Sequence, residues 1–427
     1  MRQSFDITIS PGLFRGKLDI CAIPSKSHLH RLLICASLSD KETLIRSAHT
    51  EAQDIAATVN CLSALGAEIE RVSEGYNVRP LNRDKLPNKC ILPCADSGST
   101  LRFMLPVVCA LGVSCEFHMS GRLPERPMAH LEKELMRGGI RLWRPSPDVL
   151  CCEGQLIAGD FYLPGNISSQ YITGMLMALP LLSSDSSLYV SEPIESEGYI
   201  DMTLEALKKF GQTFEGNRTH YKIRPKSTLS SPGCISAEGD WSNAAFWLAA
   251  GAMPGESARI SGLNRESAQG DREICRILKQ MGADIRWDGD VLCVSGGQLR
   301  GVEIDAANIP DLIPPLSAVA SVSEGETVIW NASRLRLKES DRLSSIAAVL
   351  KALGANVTEN ADGLRIHGVK KLTVGAVGSV VDSYGDHRIA MMAAIASTVA
   401  DGEVTVKGAD AVNKSYPGFW EMLLSSK

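Results

Sequence analysis

The chain predicts an α/β protein of two domains, each assembled from three copies of one repeated unit. Three observations lead there. Apolar helix patterns, each opened by a short polar or charged cluster, begin at Lys26, Gly98, Ser169, Asp240, Asp311 and Asp386, at intervals of 72, 71, 71, 71 and 75 residues. A second series, a helix ending in glycine and leading into a strand, falls at Gly66, Gly138, Gly211, Gly282 and Gly354, at intervals of 72, 73, 71 and 72. Two independent markers with one period indicate an internal repeat. The third observation is length, since 427 residues exceed what one ordinary core holds.

The elements follow in order within a unit. SKSHLHRLLICASLS reads as a buried helix and ETLIRSA as a strand. Asp54 then stands where an N-cap belongs, before the amphipathic IAATVNCLSALG. Gly66 suits the left-handed position past that helix, and AEIERV continues as a strand. Asp201 before MTLEALKKFG, Asp271 before REICRILKQMG and Asp341 before RLSSIAAVLKALG repeat the second helix. Each unit is therefore of βαβαββ type, akin to a split βαβ arrangement.

The sixth unit stops after GFWEMLLSSK, where a strand is due, and DITISP at the other end can supply it. The predicted domains are then 21–238, and 1–20 with 239–427, with crossings near Cys21–Ser25 and Ala237–Asp240. The alternative is one continuous solenoid, whose repeats are usually much shorter.

Bulk properties narrow the class. Hydrophobic content of 44% and charged content of 22% are those of a globular protein. A formal net charge of −5 argues against a nucleic-acid surface over the whole molecule. The apolar run 103–113 is too short to span a bilayer, so no membrane association is expected. MRQSFDITIS lacks a basic stretch followed by an apolar one, and twelve cysteines form no CxxC pairs, which predicts a cytoplasmic protein with free thiols.

The first helix of each unit is almost wholly apolar, so only its N-terminal tip is free to meet a ligand. Six such tips facing one cleft would aim positive dipole ends and unpaired N–H groups at an anion. The tips fit: Ser25-Lys26-Ser27 with Arg31, Ser97-Gly98-Ser99 with Arg102, Ser168-Ser169-Gln170, and Asp386-His387-Arg388. Arg122 to Arg126 and the run Lys338 to Arg342 add further basic residues. A lone serine-rich tip is ordinary capping and a lone charge run a solvated face. Repeated basic residues at the mouths of apolar helices are neither, because unpaired charge there is costly. Phosphate-loop, H-E-x-x-H and G-x-S-x-G motifs are absent, and His and Cys lack ligand spacing, so no metal and no cofactor are expected. His28 and His30 read as packing or capping groups.

These segments resemble the 5-enolpyruvylshikimate-3-phosphate synthase family along the whole chain. PSKSHLHR, DSGSTLR, RLPERP, SSQ, SEGYID, NIPD, LKESDR and GDHRIAM follow the family's order. The resemblance implies a two-domain inside-out α/β barrel of six βαβαββ-type units, three per domain, with the site between the domains. It implies a monomer acting on two small molecules, shikimate 3-phosphate and phosphoenolpyruvate. Shikimate 3-phosphate contacts carry over to Ser27, Arg31, Ser168, Ser169, Ser196, Tyr199, Asp311 and Lys338. Phosphoenolpyruvate contacts carry over to Lys26, Gly98, Arg122, Gln170, Arg342 and Arg388. Two phosphorylated carboxylates call for such Arg forks and Lys point charges.

The reaction so implied is addition followed by elimination. It needs a base at the acceptor hydroxyl and an acid at the methylene carbon. Asp311 suits the first role and Glu339 the second, with Lys26 close to both substrates. The chain departs from the family pattern in places. Asp96-Ser97 replaces Asn-Ala, Phe103 a proline, and Arg334 an asparagine at the shikimate phosphate. The C-terminal lysine position holds Ala411, with Lys414 nearest. Two rivals remain. The UDP-N-acetylglucosamine enolpyruvyl transferase depends on a loop cysteine that the Arg122–Arg126 turn lacks. A catalytically silent phospho-ligand scaffold would not need Asp311, Glu339 and Lys26 together.

Overall fold

A computed structural model describes residues 5–12, 17–48, 52–226, 228–375 and 378–425. These divide into two compact units. One holds the described residues within Met1–Ile23, Thr50–Ala52 and Gly239–Lys427, the other those within Pro24–His49 and Gln53–Glu238.

In the second of these, three four-stranded sheets share one plan. Lys89–Ala95 lies parallel to Ser114–Met119, which pairs antiparallel with Val149–Glu153, and Arg141–Ser146 completes the hairpin. Asp160–Pro164, Ser186–Ser191, His220–Ile223 and Glu215–Asn217 repeat the order. The remaining sheet takes its first strand from far along the chain. Cys234–Ser236 lies parallel to Thr43–Arg46, followed by Gly75–Arg79 and Glu68–Val72.

The other unit is built alike. Lys17–Cys21 opens a sheet with Ser257–Ser261, Val291–Ser295 and Asp284–Asp288. Glu303–Asp305, Glu326–Trp330, Gly363–His367 and Asn356–Asn360 form the next. The last has three described strands: Ser379–Asp382 lies parallel to Val404–Lys407, whose antiparallel partner is Ile7–Ile9.

Within each unit the sheets lie outside and three helices lie inside. Strands such as Ser257–Ser261 alternate buried and partly exposed residues, the period-two pattern of a sheet with one covered face. The helices Trp241–Ala252, Ile313–Ala320 and His387–Ser397 bury every residue, and Gly98–Leu111 buries all but Ser99 and Leu111. Each is apolar all round, which is stable only in a core. Gly174 lets two of them meet backbone to backbone, since a Cβ there would stand 2.2 Å from the Arg102 carbonyl oxygen. The outer helices are amphipathic: Ile274–Met281 buries Ile274, Ile277, Leu278 and Met281, one stripe at helical spacing.

Several local expectations need correction. Asp54 is the second residue of Gln53–Ala64, not its cap. Asp201 lies inside Glu197–Lys209, because Ser196 adopts a left-handed conformation (φ 58°) and starts that helix earlier. Asp271 lies in the 3-10 turn Gly270–Glu273. Asp341 does cap its helix, accepting from the Ser344 amide at 3.2 Å. In the glycine series, Gly282 has φ 108°, but at Gly138 φ is −78° and the left-handed residue is Gly139.

Candidate active site

Five of the six helix starts are capped by a side chain. Ser25, Ser97 and Ser168 accept from the amides of His28, Thr100 and Gln170, each at 3.3 Å. Asp240 and Asp386 accept from Asn243 at 2.7 Å and Arg388 at 2.9 Å. At the Asp311 start the helix begins at Ile313 with Leu312 as its cap residue, because prolines fill the first turn and need no N–H partner. Asp311 is thereby released from capping.

In the 24–238 unit, Lys26 donates to Asp54 at 2.7 Å, with Asp54 almost wholly buried. Arg31 is 2% exposed and donates to neutral groups: the Thr203 and Thr173 hydroxyls, the Ser27 carbonyl at 2.6 Å and the Tyr199 carbonyl at 2.8 Å. Burial lowers its guanidinium to about 10. Gln170 accepts from Arg102 and donates to Ser99, both at 2.9 Å, while Arg102 also donates to the Pro127 carbonyl at 3.1 Å. Gly98 faces two cations, since a Cβ there would stand 2.6 Å from Arg102 Nη1 and 2.8 Å from Arg126 Nη1. Arg122 is exposed, 3.5 Å from Glu125. Asp96 packs against Gly121 in the same turn. Ser169 and Ser196 are buried, and Ser27 is half-buried.

In the 239–427 unit one guanidinium gathers three carboxylates. Arg342, side chain 2% exposed, reaches Asp311 at 2.7 Å, Asp386 at 2.8 Å and Glu339 at 2.9 Å. Burial opposes its charge, yet Asp386, Glu339 and Asp311 outweigh that and hold it protonated. Asp311 also forms an ion pair with Arg388, whose Nε stands 3.2 Å from the carboxylate and whose Nη1 donates to the Asp311 carbonyl at 3.2 Å, and Glu339 stands 3.8 Å from Lys414. Lys338, partly buried, is brought down to about 8 by desolvation, with Asp311 opposing and Arg342 and Arg334 assisting. Burial, then the Asp311 charge, raises Asp271 to about 6, and the Ser242 hydroxyl donates to it.

The structure thus groups Asp311, Lys338, Glu339, Arg342, Arg388 and Lys414 in one unit, with Arg334 beside Lys338. It gathers Gly98 and Gln170 in the other unit and sets Lys26 on Asp54. His30 and His28 are packing groups, as expected: burial brings them to about 3 and about 4, and they bond to Thr58 and to the Glu238 amide. The sequence reading missed Asp54 and Asp271, which no local pattern distinguishes, and gave Arg126 no role. Arg126 had a signal, the second arginine of RLPERP.

Comparison with known proteins bears on the whole chain. The family model for EPSP synthase (3-phosphoshikimate 1-carboxyvinyltransferase) matches residues 12–423. The chain belongs to this family. A 3-phosphoshikimate 1-carboxyvinyltransferase of Clostridium perfringens (strain SM101 / Type A) is 41% identical over 417 residues, covering 97% of this chain and 96% of the relative. One of Clostridium kluyveri is 40% identical over 418 residues, covering 97% and 96%. Among solved structures, an EPSP synthase from Acinetobacter baumannii superposes with TM-score 0.79 at 25% identity, covering 99% of this chain and 98% of that one. The enolpyruvyl transferase NikO from Streptomyces tendae, at 17% identity and TM-score 0.79 with the same coverage, shares the fold. The inside-out α/β architecture is therefore a family property. Among the described residues, no helix is long and apolar enough to cross a membrane.

Proposed function

We propose that the chain transfers the enolpyruvyl group of phosphoenolpyruvate to the 5-hydroxyl of shikimate 3-phosphate and releases phosphate, a step towards chorismate and the aromatic amino acids. The observation that carries this reading, beside family membership, is the Arg342 cluster: two carboxylates suited to base and acid roles, Asp311 and Glu339, held on one guanidinium 2.7 and 2.9 Å away. In this mechanism Asp311 takes the proton of the attacking hydroxyl. Glu339 protonates the methylene carbon, with Lys414 beside it. Arg342, Arg388, Lys26, Arg122, Gly98 and Gln170 receive phosphoenolpyruvate. Ser27, Arg31, Ser168, Ser169, Ser196, Tyr199, Lys338 and Arg334 receive shikimate 3-phosphate. Arg31 then acts from within, as a buried charge behind Ser27.

The reading keeps the division into 21–238 and 1–20 with 239–427, and takes the protein as a cytoplasmic monomer. The test is phosphate release from phosphoenolpyruvate with shikimate 3-phosphate, with UDP-N-acetylglucosamine, and with neither. Release with the first acceptor alone is expected. Release with the nucleotide sugar, or with no acceptor, would overturn the reading.

A further inference from the structure

We propose that Cys90 and Cys115 form an oxidisable dithiol, a modification site at which a hydroperoxide converts the two thiols into one reversible disulfide. The two cysteines are register partners on the neighbouring parallel strands Lys89–Ala95 and Ser114–Met119, and their sulfurs stand 3.2 Å apart. A disulfide brings sulfurs to about 2.05 Å, so closure asks for a movement of about 1 Å. The fold holds both side chains on one face of adjacent strands, which brings the pair together without any rearrangement of the chain.

Their exposures differ as a two-step oxidation requires. Cys90 is half-buried on an edge strand, where a small oxidant can reach it, whereas Cys115 is 2% exposed. The hydrogen bond with Cys115 lowers the Cys90 thiol, against the opposing effect of burial, and the thiolate is the nucleophile. Cys115 continues inward to Cys152, its register partner across the antiparallel pair. Cys90 is thus the outer member of a line of thiols.

The step balances. The Cys90 thiolate attacks the O–O bond and becomes a sulfenic acid, and hydroxide leaves, taking up the proton that Cys90 gave to water. The Cys115 sulfur then displaces the sulfenic hydroxyl, which departs with the Cys115 proton as water. One hydrogen peroxide is reduced to two waters and two thiols are oxidised to one disulfide.

The experiment treats the intact protein with graded hydrogen peroxide, denatures it in an alkylating agent and maps the peptides by mass spectrometry. Expected is a linked pair of peptides carrying Cys90 and Cys115, a mass about 2 Da below the two thiols together, and its loss on reduction with dithiothreitol. The exposed Cys21 and Cys234 should stay alkylatable at the dose that links most of the pair. In Cys90→Ser the link should vanish. The proposal is overturned if wild-type Cys90 proceeds to sulfinic acid without a link, or if Cys21 or Cys234 oxidises while Cys90 and Cys115 remain thiols. The wild-type map decides the matter even if the variant folds poorly.

Discussion

Gly98→Ala is the perturbation whose consequence the structure fixes most narrowly. Gly98 begins its helix with no positive φ, and alanine is the better helix former by up to about 1 kcal/mol, so the backbone accepts the substitution and its cost lies in the side chains it meets. The new Cβ would meet Arg102 Nη1 at 2.6 Å and Arg126 Nη1 at 2.8 Å. Ordinary contact distances begin near 3.4 Å, so each guanidinium must retreat by several tenths of an ångström. Arg102 cannot retreat freely, because it bonds to Gln170 at 2.9 Å and to the Pro127 carbonyl at 3.1 Å. Losing one hydrogen bond to a charged group costs about 1.5–3 kcal/mol, which corresponds to roughly ten- to a hundredfold in kcat/KM. The assay is steady-state phosphate release with phosphoenolpyruvate varied at saturating shikimate 3-phosphate. The resemblance extends to glyphosate, a phosphonate that the family's phosphoenolpyruvate pocket accepts, and its Ki should rise more than the substrate KM. A variant with kcat/KM within twofold of wild type, or with equal losses for inhibitor and substrate, would refute the steric argument.

Other perturbations have equally defined outcomes. Arg342→Met leaves three buried or nearly buried carboxylates without their common partner, which should cost about 3–5 kcal/mol. A thermal midpoint within about 2 °C of wild type would contradict this. Lys338, lowered from 10.5 to about 8, loses its charge in the folded protein while the unfolded chain still holds that proton. Its contribution to stability therefore rises with pH between about 8 and 10.5, while the site loses a cation over the same window. KM for shikimate 3-phosphate should accordingly climb above about pH 8, and Lys338→Met should raise it at lower pH and flatten the climb. A climb of unchanged steepness in the variant would assign it to another group. Lys26→Met removes a cation and its 2.7 Å ion pair with Asp54, so both affinity and turnover should fall. Calorimetry showing unchanged binding of both substrates would contradict that placement.

The repeat was legible because six apolar helices of one kind cannot be hidden in a sequence, and DITISP could be matched to a vacant strand position by pattern alone. Ile7–Ile9 does pair with Val404–Lys407. What escaped was the work of residues that act across long sequence distances. Asp54 looks like a cap beside its helix, and only the fold brings it to Lys26, 28 residues away. Arg31 looks like a substrate contact, and only the fold surrounds it with Thr173, Tyr199 and Thr203. Asp311 stands before an apolar run, where an acidic residue usually caps the helix, and the sequence alone does not tell the two roles apart. Pro314 and Pro315 remove the need for a cap, and the freed carboxylate meets Arg342 and Arg388. Lys414, uncertain in sequence because Ala411 fills the ungapped position, comes within 3.8 Å of Glu339.

The most direct test of the account is turnover of Asp311→Asn measured together with its binding of shikimate 3-phosphate. Asparagine keeps an acceptor oxygen for Arg342 and Arg388, and Arg342 keeps Asp386 and Glu339, so the fold and the binding residues should persist. Only the proton acceptor is removed. Phosphate release should fall by at least about a hundredfold, the low end for general base catalysis, while calorimetry finds shikimate 3-phosphate binding nearly unchanged. Near-normal turnover in a variant that binds normally would remove Asp311 as the base and contradict the mechanism.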